Sequence, residues 1–482
     1  MSDLILRSVR LFDAADTTPV DVAISGGVIT EIAPSIDGNA DREISAAGRW
    51  LIPGLWDEHV HTNQWAISRR RLDLSGVASA AEAVHLLSQA LSDSVDEVFV
   101  AVNYRDALWP DRLSVASLDA VSANRPVMLI SGDVHGSWLN SAAIVRFAVA
   151  EHDDGRIAED EAFRVQQLAN FVPDEILDRW VAEAMQDAAG RGITGIVDFE
   201  MRDSAADWVR RSIAGQLPVR VEASIYLPHL DAAIAEGRTT GRVLDVAGLV
   251  RAGYLKTITD GSLGTRTAWC SHAYPDGSHG AANVDYAVLR TEVARAHRAG
   301  IVPAIHAIGD LANHAVLDVF EELEIPGRLE HAQQLQLPDV PRFAELGVIA
   351  SVQPEHAMDD RDAAETLWGS ALDGSYLLKS LADAGARLAF GSDAPVAALD
   401  PWFAISSGVF RSRDGREPWR ADEALTLGQA IAASSRHARI EPGSVADLVL
   451  LDADPANCSS DELRRLPVAL TVLGGGVVHE TL

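Results

Sequence analysis

The chain has 482 residues, 48% of them hydrophobic, and a formal net charge of −30 with a sequence pI of about 4.8. This acidity argues against nucleic acid and anionic membrane surfaces as partners, because both are bound by basic patches. Two cysteines are too few for a disulfide framework, and the sequence contains no signal-peptide core or membrane-spanning run. We therefore expect a soluble protein that is located by default in the cytoplasm.

Both ends of the chain are rich in short β-branched runs. The N-terminal part contains LILRSVRLFD and DVAISGGVITEIAP, and the C-terminal part contains ADLVLLD and ALTVLGGGVVHETL. Glycine pairs between such runs are typical of hairpins. Because neither piece is long enough to close a core alone, we predict that residues 1–56 and 441–482 pair into one small β-sandwich domain.

Between the ends, apolar runs alternate with helical segments. The runs are GITGIVDF, VRVEASIYL, YLKTITD, GIVPAIHA, GRLEHA, GVIASVQ and ARLAFGSD. Repeated strand–helix units indicate a parallel sheet, and this length predicts an α/β fold with a distorted (β/α)₈ barrel over residues 57–440. Residues from about 64 to 188 fit the repeat poorly and are predicted to form an insertion after the first barrel strand.

Polar residues that bind metals stand at the ends of four of these apolar runs and of the earlier run LIPGLWDEHVHTN. Active sites of such barrels lie at the carboxyl ends of the strands. Taken singly, each has an ordinary explanation: a His-x-His pair is often on the surface, and an aspartate before Ala-Pro often caps a helix. Their joint occurrence at five strand ends favours a metal site. The residues are His59, His61, Lys256, His306, His331 and Asp393.

Lys256 is unusual because only two of the 40 lysine and arginine residues are lysine, Lys256 and Lys379. A desolvated, neutral amine can react with carbon dioxide to give a carbamate that bridges two metal ions, whereas a guanidinium stays protonated. The alternative is a buried lysine paired with Asp260 or another carboxylate. Since arginine serves that role well in a chain that prefers arginine, we favour the carbamate.

The chain resembles the amidohydrolase superfamily, and in particular the branch of N-substituted formamide deformylase and YtcJ-like proteins. The similarity runs nearly end to end, and it implies a distorted barrel beside a β-sandwich and hydrolysis of carbon–nitrogen bonds other than peptide bonds. The motifs that carry it are PGLWDEHVH, LDLSGVAS, DVHGSWLNSAAI, LKTITDGSLGTRTA, IHAIGD, RLEHAQ, VIASVQPEH, GSDAPV and PGSVADLVLLD.

The resemblance also implies roles for the strand-end residues. In similar enzymes two histidines, here His59 and His61, hold one divalent ion. A second pair, here His306 and His331, holds another. Carboxylated Lys256 would bridge the two ions. Imidazole nitrogen and carboxylate-like oxygen are ligands that suit Zn²⁺ or a related metal. Asp393 would contact metal and water and carry the proton from the attacking water to the leaving nitrogen. Barrels of this superfamily often pair, so a homodimer is compatible with the sequence.

Other residues are predicted to contact the substrate. His135, in DVHGSWLNSAAI, is predicted to be a catalytic contact, although a histidine beside glycine in a turn is commonly solvent-facing. Trp138 suggests an aromatic or apolar substrate, with ordinary packing as the alternative. Gly261 and Ser262 would offer backbone N–H groups unless they form a plain turn. Gln353 and His356 would line the mouth, although a surface histidine is an equal alternative.

Three functional classes follow from the sequence. The leading one is hydrolysis of a non-peptide amide, an N-acyl or N-formyl amine or a cyclic amide. The second is deamination of a ring amidine on the same scaffold, with Glu330 acting on the ring nitrogen, but this leaves Lys256 unexplained. The third is an inactive homologue, which typically lacks metal ligands; none is missing here.

Overall fold

A computed structural model describes residues 2–12, 16–150, 154–437 and 439–482. Their strands form three groups: a parallel barrel, a sheet built from both termini and a smaller sheet after the first barrel strand. The predicted α/β class, with a barrel beside a domain made by the two chain ends, is confirmed. The exact boundaries at residues 56 and 440 and the insertion limits stay predictions.

The terminal sheet has eight strands: β1 (Ser2–Leu11), β2 (Val20–Ser25), β3 (Val28–Ala33), β4 (Ala40–Ser45), β5 (Trp50–Pro53), β19 (Leu448–Leu451), β20 (Val468–Leu473) and β21 (Gly476–Glu480). Their order is β21-β20-β19-β5-β1-β2-β3, with β4 beside β1. Antiparallel pairing of β5 with β19 joins the two chain ends. Their leucine, isoleucine and valine side chains share one core, which neither end could bury alone.

Eight parallel strands form the barrel: β6 (Leu55–Val60), β12 (Ile193–Asp198), β13 (Arg220–Tyr226), β14 (Val250–Ile258), β15 (Pro303–Ala307), β16 (Arg328–His331), β17 (Ile349–Val352) and β18 (Leu388–Phe390). They pair in chain order from β6 to β18. After β18 the chain returns to β6, where Asp393 N donates to His59 O at 2.7 Å and His61 N donates to Ala394 O at 2.8 Å. Gly391 permits this approach, because a Cβ there would lie 2.6 Å from His59 N.

A five-stranded sheet occupies the predicted insertion, in the order β11-β10-β9-β8-β7. It has hydrophobic cores of its own. The turn at residues 132–135, between the strands Val127–Ser131 and Gly136–Leu139, carries Asp133 and His135. Its elements are β7 (Leu72–Asp73), β8 (Phe99–Tyr104), β9 (Val127–Ser131), β10 (Gly136–Leu139), β11 (Arg156–Ala158), α2 (Ala80–Asp93), α3 (Val115–Ser122), α4 (Ser141–Arg146) and α5 (Glu159–Ala169).

The remaining helices mostly cover the barrel, and several pack directly on its strands. They are α1 (Thr62–Ser68), α6 (Asp174–Gly190), α7 (Ala205–Ile213), α8 (Leu230–Ala235), α9 (Tyr286–Arg298), α10 (Asp310–Leu323), α11 (Val340–Glu345), α12 (Pro354–Leu367), α13 (Leu378–Asp383), α14 (Pro401–Phe410), α15 (Leu427–Ala433) and α16 (Ser460–Arg464). Across the described ranges, none of the helices combines the length and apolar character needed to cross a membrane.

Candidate metal centre

The first strand and the last strand of the barrel bring three predicted ligands together. His59 and His61 come from the end of β6, and Asp393 follows β18. The distance to Asp393 Oδ1 is 3.5 Å from His59 Nε2 and 3.3 Å from His61 Nε2. All three residues are buried, and one potential ligand atom of each lies within 4.8 Å of the other two. This arrangement agrees with the predicted position of one metal ion.

A second group of potential ligand atoms shares Asp393 and adds His331 and His356, again within 4.8 Å of one another. His306 lies beside this group, with its ring centroid 4.5 Å from that of His331. Its Nε2 is 3.5 Å from Asp260 Oδ1. The sequence assigned His356 to the substrate, yet the structure places it with the potential ligands.

Lys256 lies within the same group of residues. Its Nζ is 3.3 Å from His59 Nε2 and 4.6 Å from the centroid of the Phe199 ring. Burial lowers the pKa of Lys256 to about 8, which increases the fraction of neutral amine near neutral pH. Asp260, the carboxylate named in the alternative, accepts hydrogen bonds from the backbone N–H groups of Trp269, Ile308 and Gly309, whereas the charges of Glu330 and Asp393 act on Lys256.

We refer to these seven side chains as the ligand cluster: His59, His61, Lys256, His306, His331, His356 and Asp393. Burial holds the pKa of His59, His306 and His331 well below the ordinary value, so these imidazoles are neutral. Burial favours a neutral Asp393, but the nearby imidazoles of His59 and His61 outweigh it and keep the pKa of Asp393 below its ordinary value. Neutral imidazoles around a carboxylate are the donor set that divalent ions bind.

Unsatisfied polar atoms test whether the cluster fits a metal. Buried polar atoms in folded proteins are nearly always hydrogen-bonded. Several in this cluster are buried without any hydrogen-bond partner, and we conclude that the donor set suits a divalent ion. These atoms are His61 Nδ1, His306 Nε2, His356 Nε2 and Asp393 Oδ1.

Neighbouring side chains orient two of the imidazoles. His59 Nδ1 lies 2.7 Å from Glu330 Oε2, and His331 Nδ1 lies 2.9 Å from Gln353 Oε1. Such bonds fix the tautomer and ring orientation of a metal ligand. Gln353, predicted to line the mouth, therefore supports His331, and Glu330 is fully buried behind His59.

The backbone is strained at two residues of the cluster. His331 has a φ of 77° and Asp393 a φ of 56°, both in the left-handed region. Non-glycine residues held there cost on the order of 1–3 kcal/mol and concentrate at functional sites. Asp393 does not cap a helix, since the next helix, α14, is capped by Asp400.

His135 reaches the ligand cluster from the insertion, with its ring centroid 5.5 Å from that of His306. Its Nδ1 lies 3.0 Å from Glu159 Oε2. Burial opposes protonation, but the carboxylates of Glu159 and Asp133 outweigh it and raise the pKa of His135 to about 9. The sequence did not reveal Glu159, because no motif links it to a histidine 24 residues earlier.

The remaining predicted contacts differ in position. Ser262 lines the space beside the cluster, and its Oγ donates to Asp133 Oδ2 at 2.7 Å. Gly261 shapes its loop, because a Cβ there would lie 1.9 Å from Thr267 Oγ1. The prediction for Trp138 is corrected: this side chain is fully buried in the insertion core, where it packs against apolar residues instead of lining that space.

Comparison with known proteins finds relatives along nearly the whole chain. Residues 42–479 match a family model described as "Amidohydrolase family". N-substituted formamide deformylase of Arthrobacter pascens is 26% identical over 100% of this chain and 99% of its own length. Putative amidohydrolase YtcJ of Bacillus subtilis is 26% identical over 91% and 90%. Protein LONG AFTER FAR-RED 3 of Arabidopsis thaliana is also 26% identical, over 98% and 91%.

A solved structure has the same fold. An uncharacterised metal-dependent hydrolase from Pyrococcus horikoshii matches with a TM-score of 0.78 and 23% identity, covering 95% of this chain and 99% of that one. The resemblance seen in the motifs is thereby confirmed over nearly the whole chain.

Proposed function

Because the chain belongs to the amidohydrolase family, we propose that this metal-dependent hydrolase cleaves the C–N bond of an N-formyl or small N-acyl amine. The observation that carries the proposal is the space beside the ligand cluster. It encloses about 40 Å³ and is bordered by His135, His306, His331, His356 and Asp393. The narrowness of this space favours a formyl or short acyl group over a large acyl group.

The ligand cluster would hold two Zn²⁺ ions. His59 and His61 would hold one ion, and His306, His331 and His356 would hold the other. Two groups of potential ligand atoms that share Asp393, one with His59 and His61 and one with His331 and His356, support this assignment. Carboxylation of Lys256 forms a bond between Nζ and the carbon of carbon dioxide and releases one amine proton, giving an anion able to bridge both positions. The bound metal supplies a Lewis acid that polarises the carbonyl and acidifies water.

The protein's own groups would move the proton. Asp393 is ionised and has a free oxygen, Oδ1, so it accepts the proton of the attacking water. It then passes that proton to the nitrogen as the C–N bond breaks. His135, held by Glu159, carries positive charge and stabilises the negative charge that develops on the carbonyl oxygen.

Ring deamination receives less support. It requires Glu330 to reach the substrate, but Glu330 Oε2 faces His59 Nδ1 and Glu330 Oε1 accepts from Arg328 Nε at 2.9 Å. The full ligand set also argues against an inactive homologue. By contrast, the relative named N-substituted formamide deformylase supports an acyl–nitrogen bond as the target.

The experiment is hydrolysis of a panel of N-formyl, N-acetyl and N-benzoyl amines by protein prepared with Zn²⁺, with amine release as the readout. We expect formyl substrates to react fastest. Metal analysis should give two ions per chain, and the mass of the intact protein under native conditions should include one added carbon dioxide that is absent in Lys256→Met. Ammonia release from purines without hydrolysis of any amide would contradict the proposal.

A further inference from the structure

A separate group of potential metal ligands lies outside the ligand cluster, between the loop after β14 and the start of α10. Across the part of the chain that the structure describes, three groups of histidine, cysteine and carboxylate side chains have potential ligand atoms within 4.8 Å of one another. Two of these groups share Asp393 and belong to the ligand cluster. The third comprises Cys270, His272 and Asp310, which the reaction described above does not use.

Hydrogen bonds hold this third group in the packed structure. Asp310 is the first residue of α10, and its Oδ1 accepts from Ser271 N at 2.8 Å. Leu311 N donates to Trp269 O at 3.2 Å, so the loop is bonded to α10 on both sides of Cys270. Cys270 is fully buried, and Asp310 is 6% exposed. The thiol and the carboxylate are therefore held close together by the fold.

Two of the neighbouring polar atoms are suited to a bound ion. His272 Nε2 is buried without any hydrogen-bond partner, which is rare for a buried polar atom. Burial lowers the pKa of His272, so its imidazole is neutral at about pH 7 and one ring nitrogen offers a lone pair. Cys270 Sγ donates to Gln334 Oε1 at 3.4 Å. Because Gln334 Nε2 donates to Ala371 O at 3.1 Å, the amide oxygen faces the thiol as a fourth donor atom.

Cysteine, histidine and aspartate also occur together in thiol hydrolases, in which the cysteine is the nucleophile. Here burial raises the pKa of Cys270 to about 12, so the thiol keeps its proton near neutral pH and is a poor nucleophile. Cys270 also does not border the space beside the ligand cluster. A divalent ion, in contrast, deprotonates a thiol that it binds. These properties favour a metal site over a nucleophile.

We propose that Cys270, His272 and Asp310 bind a further Zn²⁺ ion, which fixes the loop between β14 and α9 to the start of α10. Thiolate, imidazole and carboxylate are zinc ligands, and Gln334 Oε1 or water completes a tetrahedral set. Binding forms a bond between Sγ and zinc, breaks the S–H bond and releases the proton to solvent. Ligand atoms on tetrahedral zinc lie roughly 3.3–3.8 Å apart, so the side chains need to move by about 1 Å.

The same loop, residues 259–285, also reaches the ligand cluster. Its residues Ser262, Leu263 and Gly264 border the space beside that cluster. Leu263 and Cys270 pack in one buried apolar group. An ion at Cys270 would therefore hold one part of a loop whose other part faces the candidate active site. The proposal goes beyond the hydrolysis reaction and does not depend on the substrate.

The test is a titration of the Zn²⁺-loaded protein with Co²⁺. His272 is partly exposed and the side chains must shift to bind, so this site should release its ion on gel filtration while the ligand cluster keeps two. Co²⁺ bound to a thiolate absorbs in the near ultraviolet by charge transfer from sulfur, and the ligand cluster contains no sulfur. We expect this band to saturate at about one Co²⁺ per chain. Because one proton is released, the affinity should rise about tenfold per pH unit near neutrality.

Cys458→Ser is the matched control, because Cys458 is the other cysteine of the chain. This variant should keep the band, whereas Cys270→Ser should abolish it. His272→Ala changes a partly exposed residue and should weaken Co²⁺ binding about tenfold or more, with the same thermal unfolding temperature before Co²⁺ is added.

Absence of the band from the wild type would overturn the proposal, and so would loss of the band in Cys458→Ser instead of Cys270→Ser. In either case two retained zinc ions and hydrolysis of a formamide would leave the proposed function standing. A normal band in a protein that hydrolyses no amide would support this site and contradict the proposed function instead.

Discussion

The ligand cluster and a second group of charged residues in the barrel differ in how completely their polar atoms are paired. The second group, the ion layer, comprises Glu58, Glu222, Arg328 and Arg436. Arg328 Nη1 donates to Glu58 Oε2 at 2.6 Å, and Arg436 bonds both Glu58 and Glu222. Every charge here has an opposite partner, whereas the ligand cluster leaves several buried atoms without any. We infer that the group whose charges are all paired stabilises the fold, and that the group with unpaired polar atoms is available to bind a ligand.

The two regions come from the same strands. On β6, Glu58 belongs to the ion layer and the next residue, His59, to the ligand cluster. On β16, Arg328 belongs to the former and His331 to the latter, with Glu330 joining them through Arg328 Nε and His59 Nδ1. Buried polar residues that lie one to three positions nearer the carboxyl end of a strand thus belong to the ligand cluster, whereas those before them belong to the ion layer.

The largest expected effect is on catalysis, in Asp393→Asn. The amide keeps the shape of the side chain but cannot accept the proton, and loss of a general base typically lowers the rate on the order of 10²–10⁴-fold. We expect much of the metal affinity to be kept, as measured by metal analysis beside turnover of a formamide. In contrast, His306→Ala should lower bound metal and rate together. Near-normal turnover of the metal-loaded Asp393→Asn protein would exclude Asp393 as the essential base.

Arg328→Met should produce the largest loss of stability. It leaves the buried carboxylates of Glu58 and Glu330 short of a positive partner, and breaking a buried ion pair costs about 3–5 kcal/mol. Chemical denaturation of the metal-free protein measures the change in the free energy of unfolding. If the loss were below about 1 kcal/mol, the ion layer would not support the fold as inferred.

The ion layer should also make the protein sensitive to acid. Burial opposes ionisation of Glu58, but Arg436 and Arg328 outweigh it and lower its pKa from 4.5 to about 2. A depressed pKa stabilises the folded state above pH 4.5, and this contribution, about 3 kcal/mol, is lost as the pH falls from about 4.5 to 2. Unfolding measured across this range should show a shallower pH dependence in Glu58→Gln. An unchanged slope in that variant would assign acid lability to other carboxylates.

The smallest effect is expected for an ion pair on the surface. Arg416 bonds Asp362, and the two side chains are 45% and 53% exposed. Solvent screens such pairs, so Arg416→Met should change the free energy of unfolding by less than about 1 kcal/mol. Measured beside Arg328→Met, it serves as the control for removing an arginine. Equal losses in the two variants would remove the distinction between buried and exposed pairs.

Sequence patterns predict the fold well where periodicity is strong. The barrel strands, the joining of the two termini and the strand-end position of His59, His61, Lys256, His306, His331 and Asp393 all follow from apolar runs and the residues that end them. Parallel strands bring those ends to one side whatever the loops do. That geometry is why the sequence alone groups residues that lie far apart along the chain.

Contacts made by loops and by the insertion cannot be predicted from the apolar runs. Glu159 meets His135 only because β10 and β11 pair, and this register depends on packing within the insertion. Trp138 lies in the same motif as His135, which borders the space beside the ligand cluster, but the Trp138 side chain packs in the insertion core. His356 follows β17, and only the first turn of α12 places it near Asp393.

The junction between the first and last barrel strands determines at what stage of protein synthesis the ligand cluster can form. Ser392 N donates to Asp57, which precedes it by 335 residues, and Asp393 meets His59 at the same junction. Contacts with such sequence separation require closure of a very long loop and therefore form late in folding. A nascent chain has no complete ligand cluster until nearly the whole barrel has left the ribosome, and a product truncated before residue 393 lacks the proposed base altogether.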